Sequence, residues 1–365
     1  MSSLGLAMPV GDENKDKPTD QIEVSSPPRL AQRSRVWRFG FALVLLSAAL
    51  VLLGVGVGST GWESVATMWE QTLAMQIVWD IRLPRTLGAW LAGSLLGLSG
   101  AVAQGLFRNP LADPYLLGSA SGASLGVSTA LTLFGVSPFA TAWLVRLGLT
   151  GAAFIGAVSA VLLTLLLARG VQHTLRLLLA GVIVGVVLGA VGSLVTMLRP
   201  DIVQAMQAFM LGSTGFIGWS ACAVMVSVLV MCVLASVALS HALDGLSLGE
   251  ATAASLGLPL PQMRAALVVV IALSAGTAVA QAGLIVFVGL AAPHLVRSVV
   301  KTTHASLIVL ASLMGAVLLT AADILSRWLI APQELPVGVL TAILGGGYLL
   351  RLMHSQRRYE NGGGL

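Results

Sequence analysis

Charge is scarce in this sequence. Asp, Glu, Lys and Arg make up 10% of its 365 residues, against about 25% in soluble globular proteins. Lysine is scarcer still: Lys15, Lys17 and Lys301 are the only three, and none follows a glycine. A phosphate-binding loop ending in Gly-Lys-Ser/Thr is therefore absent, and with it any nucleotide-driven motor inside the chain. Cysteine is limited to Cys222 and Cys232, which share one apolar run where a helix would hold them about 15 Å apart, beyond disulfide reach. No zinc or redox spacing is present, and both cysteines read as small buried hydrophobes. Acids are missing from the middle of the apolar runs. Asp113, Asp201, Asp244, Glu250, Asp323 and Glu334 all fall at run ends or between runs, whereas ion-coupled carriers place acids deep in the membrane. An intramembrane enzyme finds no nucleophile–base pair or metal cluster to work with.

What is abundant is apolar. Hydrophobic residues reach 56% and the mean hydropathy is +0.92, so lipid rather than water is the solvent of most of the chain. Glycine numbers 41, and small residues let transmembrane helices approach closely where lipid gives no hydrophobic drive to association. With about 20 apolar residues needed per crossing, the runs predict an all-α polytopic protein with ten spans. They lie near 39–59, 84–107, 117–135, 144–168, 176–198, 218–241, 263–282, 284–300, 305–326 and 335–353. Residues 1–36, polar and carrying Pro27 and Pro28, are expected to form a disordered cytoplasmic tail. A transmembrane domain follows over 37–355, then a cytoplasmic tail over 356–365. No cleaved signal peptide is expected, because the first apolar stretch starts only near Phe39.

Cytoplasmic segments hold the excess of Lys and Arg. An N-terminus inside leaves only Arg82, Arg85, Arg146, Arg199 and Arg327 of the 20 basic residues on the outer side, and ten spans return the C-terminus to the inside. The net charge of +5 is thus topological and gives no sign of nucleic-acid binding. Two outer segments read as non-spanning: Trp62–Gln76 along the interface, and Ile202–Leu211 as a short re-entrant helix.

The longest non-terminal inner loop carries a pattern of its own. Ser247-Leu248-Gly249-Glu250 matches a capping box, with Ser247 and Glu250 each satisfying the other's backbone N–H. A short helix is expected from there through Leu256 to Gly257 at its C-terminal cap, with Pro259 and Pro261 beyond.

Arg82-Leu83-Pro84-Arg85, Gly93 and Gly97, Gln104 through Pro114, and Leu117-Gly118 together resemble the FecCD-like family, permeases of type II ABC importers for iron-siderophores, haem and cobalamin. In the second half Phe287 to Leu290, Pro293-His294, Ala322-Asp323 and Glu334 to Val339 resemble it in the same order. The similarity covers roughly 40–355. One departure stands at Gly345-Gly346-Gly347-Tyr348, where a Gly-x-Pro-Phe type of sequence is usual and the last helix bends.

The resemblance implies a non-enzymatic transport subunit of the bacterial inner membrane, paired with a second copy of itself. Two cytoplasmic subunits would hydrolyse ATP-Mg and a periplasmic binding protein would dock outside, with no permanently bound cofactor in this chain. It makes Ser247, Leu248, Gly249, Glu250, Leu256 and Gly257 the coupling helix that meets the ATPase. Arginines at the positions of Arg82, Arg85 and Arg327 receive acidic residues of the binding protein, a task suited to a planar guanidinium that holds its charge. The string Gln104 to Arg108 looks most like haem permeases, which puts haem ahead of a ferric siderophore or cobalamin as cargo. Histidines 173, 241, 294, 304 and 354 all map to cytoplasmic ends, so axial ligation of haem in an outer cavity is not expected. Arg199 could pair with a haem propionate there, with Met197, Met206 and Met210 offering soft contacts.

Overall fold

The computed structural model describes residues 29–58, 61–62, 72–134, 143–168 and 174–362. Apolar runs become helices because each must satisfy its own backbone hydrogen bonds where water is excluded. The ten expected stretches are occupied by α1 (Arg29–Gly56), α3 (Leu83–Phe107), α4 (Ser119–Phe134), α5 (Trp143–Leu167), α6 (Thr174–Leu198), α8 (Trp219–Ala238), α11 (Leu260–Ala282), α12 (Val288–Val299), α13 (His304–Trp328) and α14 (Val337–Gly362). Seven of these are long and apolar enough to cross a membrane, while α4, α12 and the apolar part of α14 are shorter. Among the described residues four short helices join them: α2 (Thr72–Ile77), α7 (Val203–Leu211), α9 (Ser240–Ser247) and α10 (Glu250–Ser255). A two-residue antiparallel pairing of Val57–Gly58 with Gly61–Trp62 follows α1.

Boundaries differ from expectation in four places. Helix α1 begins at Arg29, inside the expected tail, because Arg-Leu-Ala-Gln-Arg is a run of good helix formers. Of the expected interfacial segment, 63–71 lies outside the described residues, and α2 leads through a widened π turn at Val78–Arg82 directly into α3. That turn absorbs Pro84, which stands in the first turn of α3, where a missing N–H costs nothing. The break at Gly283 is longer than one residue. Gly283 has φ +72, Ser213 N–H donates to the Ala282 carbonyl at 2.8 Å and Leu284 N–H to the Phe209 carbonyl at 3.0 Å. The chain therefore leaves the helix to pair with the end of α7, and α12 starts only at Val288. Finally, α14 continues past 355 to Gly362 and passes through Gly345–Gly347 without interruption.

Helix α3 is the hub, buried along almost its whole length. It packs on α13, α11, α12 and α8. Its closest approach runs through glycine: a Cβ on Gly93 or Gly97 would overlap the carbonyls of Gly315 and Ala311 on α13, and one on Gly100 the carbonyl of Gly289 on α12. A second layer of α4, α5 and α6 is joined the same way, Gly122 and Gly126 lying against Gly156 and Ala152. Backbone contact at these crossings supplies the dispersion that holds helices together in lipid.

Candidate functional site

At the end carrying Arg85 and Arg327, charges from distant parts of the chain converge. Asp323, one turn before the end of α13, is fully buried. Its carboxylate pairs with Arg327 four residues on, receives Arg85 Nε at 3.2 Å, and accepts from the Thr214 hydroxyl. Arg327 is 1% exposed. It also donates to the Gly54 carbonyl at 2.9 Å and the Thr86 hydroxyl at 3.2 Å, fastening α13 to α1 and α3. Arg85 reaches outward to Glu334 at 2.9 Å, and Glu334 is the rim of the cluster, a third exposed. A buried charge is tolerated when paired and hydrogen-bonded, and here one carboxylate satisfies two guanidiniums.

The three arginines expected to dock a binding protein are not equally placed. Arg327 is enclosed and Arg82 is buried; the edge that faces outward is Arg85 with Glu334. The i, i+4 spacing of Asp323 and Arg327 was visible in the sequence, but the arrival of Arg85 and Thr214 was not.

At the opposite end, α9 and α10 fill the loop before α11. Gly249 has φ +109, open only to glycine without strain, and it turns the chain between them. The capping box does not form. Ser247 ends α9, its hydroxyl donating to the Asp244 carbonyl at 2.6 Å, and α10 starts without a side-chain cap. Serine in a helix readily bonds the carbonyl three residues back, and Glu250 is drawn away by Arg264 at 2.8 Å. Gly257 takes φ +74 just past α10, as expected of a C-terminal glycine. Leu248 and Leu256 are exposed by 65% and 62%, a pair of apolar side chains that the loop presents outward.

Besides Glu250–Arg264, a contact at Asp244 links this loop to the bundle. Asp244 Oδ1 accepts from the His304 backbone N–H at 3.1 Å and meets its Nδ1 at 2.6 Å. Gln104 on α3 bridges α12, donating to the Leu290 carbonyl at 3.1 Å and accepting from Arg297. The turn over Asn109–Pro114 closes through Asp113, which accepts from the Tyr115 N–H at 2.8 Å. Burial raises the Asp113 carboxyl to about 6, against that hydrogen bond. The Tyr115 hydroxyl donates to the Ile285 carbonyl at 2.9 Å, and burial pushes its phenol well above the usual range.

Arg199 does not stand free for a ligand. It pairs with Asp201 at 2.7 Å and donates to the Thr132 carbonyl at 3.2 Å. The pairing holds Asp201 below the ordinary carboxylate range and Arg199 above its own. Met206 is buried in a cluster with residues of α4 and α5, whereas Met197 and Met210 are exposed. Exposure along α6 forms one face: Leu175, Leu179, Val182, Val186 and Met197. Glycines 181, 185, 189 and 192 lie against the 116–125 stretch on the other side of that helix. On α14, Gly345 is required by Phe287, which a Cβ there would strike, whereas Gly346 and Gly347 face open space. Tyr348 packs edge-on against His294, ring centres 5.8 Å apart.

Comparison with known proteins gives these geometries a context. The FecCD transport family matches residues 43–355. The hemin transport system permease protein HmuU of Yersinia pestis is 38% identical over 88% of this chain and 97% of its own. The vitamin B12 import system permease protein BtuC of Klebsiella pneumoniae is also 38% identical, over 89% and 96%. Among solved structures, a chain described as a metal-chelate type ABC transporter in an inward-facing conformation superposes with a TM-score of 0.77 at 28% identity, covering 87% of this chain and 99% of that one.

Proposed function

This chain belongs to the FecCD transport family and is the multi-pass permease of an ABC importer, and from that premise we propose that it carries haem across the bacterial inner membrane. It works as a homodimer by alternating access. ATP-Mg is hydrolysed in two partner subunits, and a periplasmic binding protein delivers the cargo. The observation that carries the cargo reading is the string Gln104-Gly105-Leu106-Phe107-Arg108, which resembles haem permeases, together with the hemin permease among the relatives. Cobalamin is the second reading, favoured by a vitamin B12 permease at the same identity; ferric siderophores follow.

The mechanism assigned to this chain is mechanical. The ATPase meets the α9–α10 loop through Leu248, Leu256 and the segment from Ser247 to Gly257, whose glycine-bent ends make it compact. Its displacement passes through Glu250–Arg264 into α11 and through Asp244–His304 into α13. At the far end the same α13 carries Asp323 and Arg327, so motion there reaches Arg85 and Glu334, where the binding protein docks. The exposed face of α6 with Met197 belongs to the second copy or to the pathway. Side-by-side ATP-dependent uptake of haem, cobalamin and a ferric siderophore by the chain reconstituted with its ATPase tests the cargo. Haem should be taken up fastest, and faster transport of cobalamin would replace the first reading by the second.

A further inference from the structure

A groove of about 830 Å³ lies where α1 and α13 begin and α8 ends. Trp37, Phe41 and Val44 on α1 and Val309 on α13 wall it, all of them exposed. Arg33, Thr302 and Ser306 line its mouth. The mouth is fixed by Gln32, whose side-chain amide donates to the Lys301 carbonyl at 2.7 Å. Among the described residues no acid lines the groove, and Arg35, Arg38 and Lys301 stand close by in the chain.

The dimensions suit one leaflet. From Arg33 to Val44 the helix rises about 16 Å, half of a hydrocarbon core about 30 Å thick. Basic mouths between transmembrane helices on the cytoplasmic side attract anionic headgroups, each Lys or Arg strengthening the attraction. An exposed tryptophan below such a mouth places an amphipathic ring at headgroup depth.

We propose that this groove is a binding site for one anionic phospholipid of the inner leaflet. Its phosphate lies against Arg33 and the hydroxyls of Thr302 and Ser306, and an acyl chain runs along Trp37, Phe41, Val44 and Val309. The lipid covers apolar surface that neither helix covers alone, and ties α1 to the start of α13. The inference rests on the membrane topology and is independent of which cargo is carried.

The test reconstitutes the full chain in vesicles of equal phosphatidylglycerol and phosphatidylcholine with matched acyl chains, extracts it mildly, and counts retained lipids by native mass spectrometry. Wild type should keep phosphatidylglycerol in preference. Arg33→Gln should lower that preference about fivefold, the effect of one basic residue at a headgroup. Trp37→Ala should lower retention of both lipids, and Arg351→Gln, an exposed basic residue outside the groove, should change nothing. Equal retention of both lipids by wild type, an unchanged preference in Arg33→Gln, or displacement by inorganic phosphate alone overturns the proposal. So does loss of self-association in the Trp37→Ala chain with lipid retention intact, which would assign the groove to a second copy.

Discussion

Arg264 Nη2 lies 2.8 Å from Glu250 Oε1, so the first residue of α10 is held to the first turn of α11 by charge. Arg264 is buried, while Glu250 is partly exposed. Coupling through this pair predicts that Glu250→Gln lowers ATP-dependent uptake severalfold while insertion stays intact. A charge-assisted hydrogen bond contributes about 1.5–3 kcal/mol, enough to loosen α10 without unfolding the bundle. Exchanging the charges, Glu250→Arg with Arg264→Glu, should restore part of the uptake. Normal transport in the single variant would remove the pair from the coupling path.

Helix packing predicts an asymmetry between glycines. Gly100→Ala places a Cβ against the Gly289 carbonyl, a backbone atom that cannot swing aside, and should cost about 1–3 kcal/mol in thermal unfolding in detergent. Gly346→Ala enters open space and should change stability by less than about 0.5 kcal/mol.

These two glycines show what a sequence can and cannot convey. Apolar runs announced where helices lie, because lipid forces each segment to satisfy its own backbone. They did not announce which glycines touch, since Gly100 and Gly346 differ only in what the fold brings near them. The cluster around Asp323 was half legible: Asp323 and Arg327 are four residues apart, but Arg85 is 238 residues away from Asp323. The capping box at Ser247 failed because a local motif cannot register a competitor such as Arg264. The stretch at 283–287 was hidden for the same reason, its hydrogen-bond partner Phe209 being remote in sequence. Met206 looked like its neighbours Met197 and Met210 because periodicity gives a face and not the identity of what covers it.

The turn at Asp113 predicts a pH dependence of stability. Burial raises its carboxyl from 3.8 to about 6, so the fold favours the protonated form. The stabilisation is complete below the unfolded value and is lost as pH rises through about 6. Asp113→Asn keeps an oxygen to accept from Tyr115 and removes the charge. The variant should melt higher than wild type at pH 7–8, with the difference shrinking toward pH 5. A difference that grows on acidification would reverse the assignment.

Arg199 is engaged by Asp201 and the Thr132 carbonyl, so a haem propionate would have to compete with a carboxylate already in place. Arg199→Ala should lower the melting temperature modestly and slow uptake of haem and of a propionate-esterified analogue equally. A selective loss of haem uptake would show that the arginine exchanges Asp201 for the cargo.

Docking of the binding protein is predicted to run through Arg85 and not through all three arginines of the cluster. Arg327 is enclosed by Asp323, Thr86 and the Gly54 carbonyl, so Arg327→Ala leaves a buried carboxylate short of one partner. That change should destabilise the chain by about 3–5 kcal/mol and reduce docking only as far as it unfolds the protein. Arg85 keeps an outward edge, occupied by Glu334 at 2.9 Å. An acid of the binding protein must compete with Glu334 for it, so Glu334→Gln should tighten association, mostly in the dissociation rate. Arg85→Glu should weaken it, and an acid-to-Arg change on the partner should recover part of the loss. Affinity measured by surface binding, with thermal melts of the same variants, separates the two roles. If Arg85→Glu and Glu334→Gln both leave affinity unchanged while the melts shift, the cluster serves only to join α1, α3 and α13.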